Sequence, residues 1–254
     1  MTTSIPAETA RAWADIDLAA VVANARTVER AAGTRLLPMI KADAYGLGAV
    51  PVARALEEIE PWGYGVATTP EAATLREAGV DRPLIVFTPL LPSQIEACLE
   101  LHLRPVIGDL EALVAWTSRT ARPFHLEIDT GMARSGIRWN DRAALGRAGD
   151  LLSGSSGWEG VFTHFHSPDD APATMAIQWE RFQDALAALP SRPPLVHAAS
   201  SAAALRDRRF AADMVRPGIF LYGGRAGGHT PRTALRLHAR VVSVRTLTAG
   251  ESVS

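Results

Sequence analysis

Short apolar runs alternate with helix-like stretches over most of the chain. RLLPMI (35–40), WGYGVAT (62–68), PLIVF (83–87), LRPVI (103–107), PFHLEID (123–129), WEGVFTHF (158–165), PPLVHAA (193–199) and GIFLYG (218–223) read as strands. Between them AVPVARALEEI, TPEAATLREAG, LPSQIEACLE and TMAIQWERFQDALAAL read as helices. Thr69-Pro70 and Gly79 punctuate the start and stop of the second. Mostly apolar strands, each followed by a helix, predict a parallel sheet covered on its outer face. The simplest closed form is a TIM-like (β/α)8 barrel of the α/β class, with its active site at the C-terminal ends of the strands. An open doubly wound sheet fits the same pattern, because periodicity alone does not show closure.

The pattern changes after GRAGGHTPRTA (224–234), which reads as a linker. LRLHARVVSVRTLTAGESVS (235–254) is rich in β-branched residues, has an Ala249-Gly250 turn and shows no following helix. It reads as the opening hairpin of a separate β domain, with the sequence stopping inside the second strand. The expected organisation is therefore a barrel domain over 1–230 and the truncated start of a C-terminal β domain over 231–254. On that expectation the chain is a fragment of something longer.

Composition narrows the class. The 254 residues are 47% apolar and 21% charged with a formal net charge of −1, which is ordinary for a globular protein that builds its core without staples. The single Cys98 excludes an internal disulfide framework and fits a reducing, cytoplasmic setting. No basic segment precedes an apolar one at the start, and no apolar run is long enough to cross a membrane. Near-zero net charge without a basic block argues against nucleic acid as a partner. A small-molecule substrate remains the natural expectation.

On the barrel reading, reactive side chains stand just past the strand ends. Lys41 follows the first strand. Glu127 and Asp129 end the fifth, with Arg134 beyond; His164 and His166 end the sixth; Ser200 and Ser201 follow the seventh; and Arg216-Pro-Gly-Ile precedes the eighth. Each has an ordinary reading. A strand-end lysine usually reaches for water, although burial can leave it a free amine for carbonyl chemistry. Tyr45 reads equally as a packed ring, glycines 46 and 48 as a turn, and DTGMARSG as a connection. His164 reads as a core histidine, Ser200-Ser201 as a helix cap, and Arg216 as an ion-pair partner. The cap reading is compatible with anion binding, since a helix N-terminus offers free N–H groups. Metal binding has weak support, because HFH fixes no third ligand and HExxH and CxxC are absent. No GxSxG elbow marks a nucleophilic serine.

Taken together, WADIDLAAVVANAR, MIKADAYGLGA, GVATTPEAATLREAGV, EIDTGMARSG, THFH, HAASSAA and VRPGIFLYG resemble the alanine racemase family, the fold-type III pyridoxal phosphate enzymes. They occur in family order and cover nearly the whole chain from about residue 13. The resemblance implies a homodimeric, pyridoxal 5'-phosphate-dependent racemase that interconverts L- and D-alanine for peptidoglycan. It implies that Lys41 binds the cofactor covalently and, once displaced, moves the Cα proton of the D-substrate. It further implies that Tyr45, Ser200, Ser201 and the backbone at Gly218 and Ile219 surround the phosphate. Arg216 would face the pyridine nitrogen, His164 would pack at the ring and hold Arg216, and Arg134 would contact the phenolic oxygen and steer the substrate carboxylate.

Two positions depart from the family pattern. Glu127 stands where a carbamylated lysine is common, keeping a negative charge on a shorter arm. Ser200 stands where an asparagine is usual. The family's second base, a tyrosine, would fall just after Ser254, so the chain as given is expected to bind cofactor and racemise weakly or not at all. The alternatives are a single-domain pyridoxal phosphate-binding homeostasis protein and a racemase of another small amino acid such as serine.

Overall fold

The computed structural model describes residues 9–252. The strands are β1 (Ala12–Ile16), β2 (Arg35–Leu36), β3 (Tyr64–Val66), β4 (Leu84–Val86), β5 (Arg104–Ile107), β6 (Phe124–Asp129), β7 (Ile137–Arg138), β8 (Trp158–Phe162), β9 (Leu195–His197), β10 (Met214–Val215) and β11 (Leu235–Ala239). β3, β4, β5, β6, β8 and β9 form one parallel path, with short β7 beside β6. β2 pairs in parallel with β10.

Backbone bonds close this path into a ring. Trp62 N–H donates to Leu36 O and Gly65 N–H to Pro38 O, joining β2 to β3. Asp213 N–H donates to Val196 O and Arg216 N–H to Ala199 O, joining β9 to β10. The expected barrel is therefore closed, and a sheet so arranged has no free edge.

Two apolar layers explain why the strands read as continuous runs. Inside the barrel Leu37, Ile85, Val106, Phe162, Leu195 and Met214 pack together, with Trp62 and Phe87 at the rim. Alternate residues such as Leu84, Val86, Leu126 and Val161 point outward to the helices. The helix Leu18–Ala32 covers part of that outer layer with Val21, Ala25 and Val28 fully buried, capped by Asp17 at one end and left-handed Gly33 at the other. Thr68, rather than Thr69, caps the helix Thr69–Glu77.

Two expectations are corrected. The eighth barrel strand is Met214–Val215, and GIFLYG (218–223) is a turn closed by Leu221 N–H to Gly218 O and Gly224 N–H to Ile219 O. Its apolar residues Phe220, Leu221 and Tyr222 are buried in that turn, so burial and not strand pairing explains their character. Arg216 thus follows the last strand instead of preceding one.

The second correction concerns 235–254. Leu235–Ala239 pairs antiparallel with Ala12–Ile16 from the other end of the chain, with Trp13 stacked on His238 at 5.1 Å. No second strand appears among residues 240–252, and Val253 and Ser254 lie outside the described residues. The Ala249-Gly250 turn is present, closed by Glu251 N–H to Thr248 O. The stretch 224–234 is held firmly. Asn24 donates to Arg232 O and accepts from Arg232 N–H, and Ala226 and Ala234 are buried.

Candidate active site

A cleft of about 210 Å³ opens at the C-terminal ends of the strands. Lys41, Tyr45, Arg134, His164, Ser200, Ser201, Arg216, Gly218 and Ile219 all line it, so the structure brings together every residue that the family resemblance places around the cofactor. His166 and Glu127 do not line it.

Lys41 leads into an unusual turn. Ala42, Asp43 and Ala44 have φ of 51°, 52° and 53°, and Tyr45 has φ 57°. A left-handed conformation costs a non-glycine residue roughly 1–2 kcal/mol, so four in succession need support. Glycines 46 and 48, with φ of 88° and 91°, carry the chain out of the turn at no such cost. Asp43 accepts from Ala49 N–H at 2.6 Å, and Glu71 accepts from Ala42 N–H at 3.1 Å and Ala67 N–H at 2.7 Å. The Tyr45 ring stacks on Tyr222 at 4.7 Å, and Tyr222 donates to Met39 O. Burial raises the Tyr45 hydroxyl, which stays protonated.

Across the cleft Ser201 Oγ accepts from Gly218 N–H at 2.9 Å. Glycine at 218 leaves the tyrosine its place, because a Cβ would lie 2.4 Å from Tyr45 Oη. Ser200 begins the helix Ser201–Arg206 without a side-chain cap bond, so the cap reading of its hydroxyl does not hold.

Arg216 is buried. It donates to Thr163 O at 2.8 Å, Ala198 O at 3.0 Å, His197 Nδ1 at 2.7 Å and His164 Nδ1 at 3.2 Å, and it lies 5.0 Å over the Phe162 ring. Burial lowers its guanidinium to about 9, which still leaves a cation at neutral pH. Burial, then Arg216, Arg134 and Lys41, drive His164 down to about 3, so its imidazole is neutral.

The loop after β6 carries Arg134. Asp129 shapes it by accepting from Gly131 N–H and Ala133 N–H. Glu127 is buried beneath it and accepts from Ser135 Oγ at 2.5 Å. Burial raises the Glu127 carboxyl, opposed by the Ser135 bond, Arg134 and Arg216. Among the described residues Glu127 forms no ion pair with Arg134, so its charge acts on Arg134 at a distance.

Sequence reasoning missed the row of groups behind Arg216. His197 Nε2 lies 2.9 Å from His125 Nδ1, His125 Nε2 lies 3.2 Å from Glu159 Oε2, and Arg104 Nε donates to the same oxygen at 2.7 Å. Burial lowers both histidines, keeping them neutral. Burial raises the Glu159 carboxyl, but the His125 bond and Arg104 outweigh it, and Glu159 ends below the ordinary carboxylate value. Gly160 makes the space, since a Cβ there would sit 2.2 Å from His125 Nδ1. The signal was available: polar residues inside the apolar strands PFHLEID, WEGVF and PPLVHAA demand buried partners.

The sequence matches the model of the alanine racemase N-terminal domain over residues 16–226. The chain belongs to the alanine racemase family. It is 36% identical to an alanine racemase from Carboxydothermus hydrogenoformans, covering 95% of this chain and 70% of that one. It is also 36% identical to an alanine racemase from Halothermothrix orenii, where it spans 58% of the relative's length. A crystal structure of alanine racemase from Bartonella henselae with covalently bound pyridoxal phosphate superposes with a TM-score of 0.87 at 27% identity, covering 96% of this chain and 70% of that one. The family barrel agrees with the closed ring found here. No helix among the described residues is long and apolar enough to cross a membrane.

Proposed function

We propose that this member of the alanine racemase family binds pyridoxal phosphate at the cleft and interconverts L- and D-alanine, supplying D-alanine for cell-wall peptidoglycan as a cytoplasmic homodimer. One observation carries the reading: Lys41, Arg134 and Arg216 converge on a single cleft, and among the described residues no carboxylate forms an ion pair with any of them. Three cations so placed suit an anionic, phosphate-bearing ligand. The bare backbone at Gly218 admits Tyr45 Oη and donates its N–H to Ser201 Oγ, so two hydroxyls able to donate to a phosphate stand beside it.

When bound, pyridoxal phosphate supplies an electron sink that acidifies the Cα proton of an amino acid. Lys41 holds the cofactor covalently through Nζ, and its freed amine takes or returns the Cα proton on its own face. The Tyr45 hydroxyl and Ser201 hold the phosphate, with Ser200, Gly218 and Ile219 around it. Arg216 donates to the ring nitrogen and, being unable to surrender its proton there, leaves that nitrogen unprotonated. Neutral His164 packs at the ring and accepts from Arg216. Arg134 binds the phenolic oxygen and the substrate carboxylate. The paired strands β1 and β11 form the start of a β domain, which then draws on Ala12–Ile16 as well as on residues 231–254.

The test pairs a spectrum with an exchange assay. Pyridoxal phosphate should give the visible absorbance of a lysine-bound cofactor, lost in Lys41→Ala; a band that persists removes Lys41 from its role. In D2O the cofactor-loaded protein should introduce solvent deuterium at Cα of D-alanine, while D-serine run beside it reads substrate choice. Bound cofactor with no Cα exchange on either amino acid would remove the racemase reading.

A further inference from the structure

The left-handed turn after Lys41 determines both where the lysine points and where Tyr45 enters the cleft four residues later. Its internal bonds, such as Ala44 N–H to Ile40 O and Gly46 N–H to Ala42 O, close the turn on itself and do not tie it to the barrel. The Glu71 side chain does. It comes from the helix Thr69–Glu77, and its two carboxylate oxygens accept from different segments. Oε1 takes Ala42 N–H, the residue next to Lys41, and Oε2 takes Ala67 N–H, just past β3.

An ordinary helix-start role accounts for half of this arrangement. An acidic residue in the first turn commonly reaches back to the backbone before the helix, and Thr68 Oγ1 accepts from Glu71 N–H as in such a start. That role explains the bond to Ala67 and leaves the bond to Ala42 unexplained. The second bond crosses to another strand end and fixes the strained residue beside Lys41. A carboxylate suits it, because an ionised carboxyl is acceptor-only on both oxygens, whereas an amide must turn a donor toward one of the two N–H groups.

We propose that Glu71 is a positioning residue for Lys41, its carboxylate locking the left-handed turn Ala42–Tyr45 to the end of β3. This sets the separation of the Lys41 amine and the Tyr45 hydroxyl in the cleft. The functional part rests on the cofactor reading above; the locking itself does not.

The test compares Glu71→Ala and Glu71→Gln with the wild-type chain, with and without pyridoxal phosphate, and with acetate added to replace the missing carboxylate. In Glu71→Ala the Ala42 amide should exchange at least about tenfold faster, an opening eased by about 1.4 kcal/mol. The lysine-bound absorbance should weaken at a given cofactor concentration. Acetate should move both toward wild type, and Glu71→Gln should fall between. A purely structural role would lower the melting temperature while leaving the acetate response and the Lys41 absorbance of the folded protein unchanged, and that result overturns the proposal. Ala42 exchange equal to wild type in either variant overturns it as well. If Glu71→Ala does not fold, Glu71→Gln decides by the same readouts. If the wild-type chain forms no lysine-bound absorbance, the proposed function fails, and Ala42 exchange alone decides the lock.

Discussion

Arg216 donates to Nδ1 of His197 across 2.7 Å, and that contact orders the protons of the barrel interior. An arginine can only donate, so His197 accepts at Nδ1 and carries its proton at Nε2. Nε2 then donates to His125 Nδ1, which leaves His125 to donate from Nε2 to Glu159. The row therefore has a cation at the cleft, a carboxylate at the far end and two neutral rings of fixed tautomer between. Bonds aligned in one direction polarise one another, and the opposite end charges offset each other's burial.

Breaking that row at its middle should be costly. His197→Ala leaves donors on Arg216 and an acceptor on His125 without partners and opens a cavity. We expect a loss of about 2–4 kcal/mol in urea unfolding. The lysine-bound cofactor absorbance should also shift, because Arg216 is no longer fixed. Unchanged stability and spectrum would show that the row contributes nothing.

Acid should destabilise the fold well before carboxylates titrate. His125, His164 and His197 all have folded pKa values below the unfolded one, His164 at about 3. Below about 6.5 the unfolded chain binds protons that these buried rings refuse, so stability falls as pH falls. Between pH 7 and 5.5 His164 should contribute a loss of about 1 kcal/mol, with losses of the same sign from His125 and His197. Urea midpoints at the two values read this directly, and a flat profile would contradict the burial of neutral imidazoles.

Gly218→Ala should spare the fold and damage the cleft. The new Cβ would overlap Tyr45 Oη at 2.4 Å, and a tyrosine tip can move where backbone cannot. Displacing that hydroxyl should weaken pyridoxal phosphate binding by about tenfold, or 1.4 kcal/mol, near the value of one hydrogen bond. Equilibrium dialysis checks it, with the melting temperature as control.

Ser135→Ala should expose the strain under the Arg134 loop. Glu127 then loses the hydroxyl bond that opposes the upward push of burial, so its carboxyl rises further. A carboxyl raised in the folded state costs stability as pH climbs through that range, because the unfolded chain ionises first. The variant should lose about 1–2 kcal/mol at pH 7 and less at pH 4.5, measured against wild type at each value.

Much of this was legible in the chain. Seven of the eight apolar runs announced parallel strands, and Lys41, Arg134, His164, Ser201 and Arg216 stood out because polar groups at strand ends are conspicuous on an apolar scaffold, whereas Tyr45 was marked by the family resemblance. GIFLYG misled, because a buried turn and a buried strand have the same composition, and only Pro217 hinted at the break. The segment at 235–239 misled for a different reason. Strand character is local, but the partner is not, and here it came from Ala12–Ile16 at the opposite end of the chain.

The sequence by itself determined the alternation of strand and helix, which follows from local apolar pattern, and it marked the cleft-lining residues through motifs that resemble the alanine racemase family. Tertiary structure alone decided that the sheet closes. It also brought Glu71 to Ala42 and aligned Arg216, His197, His125 and Glu159 into one directed row. Those contacts join side chains from separate strands and helices, and no spacing along the chain encodes the approach of groups that meet only when the barrel closes.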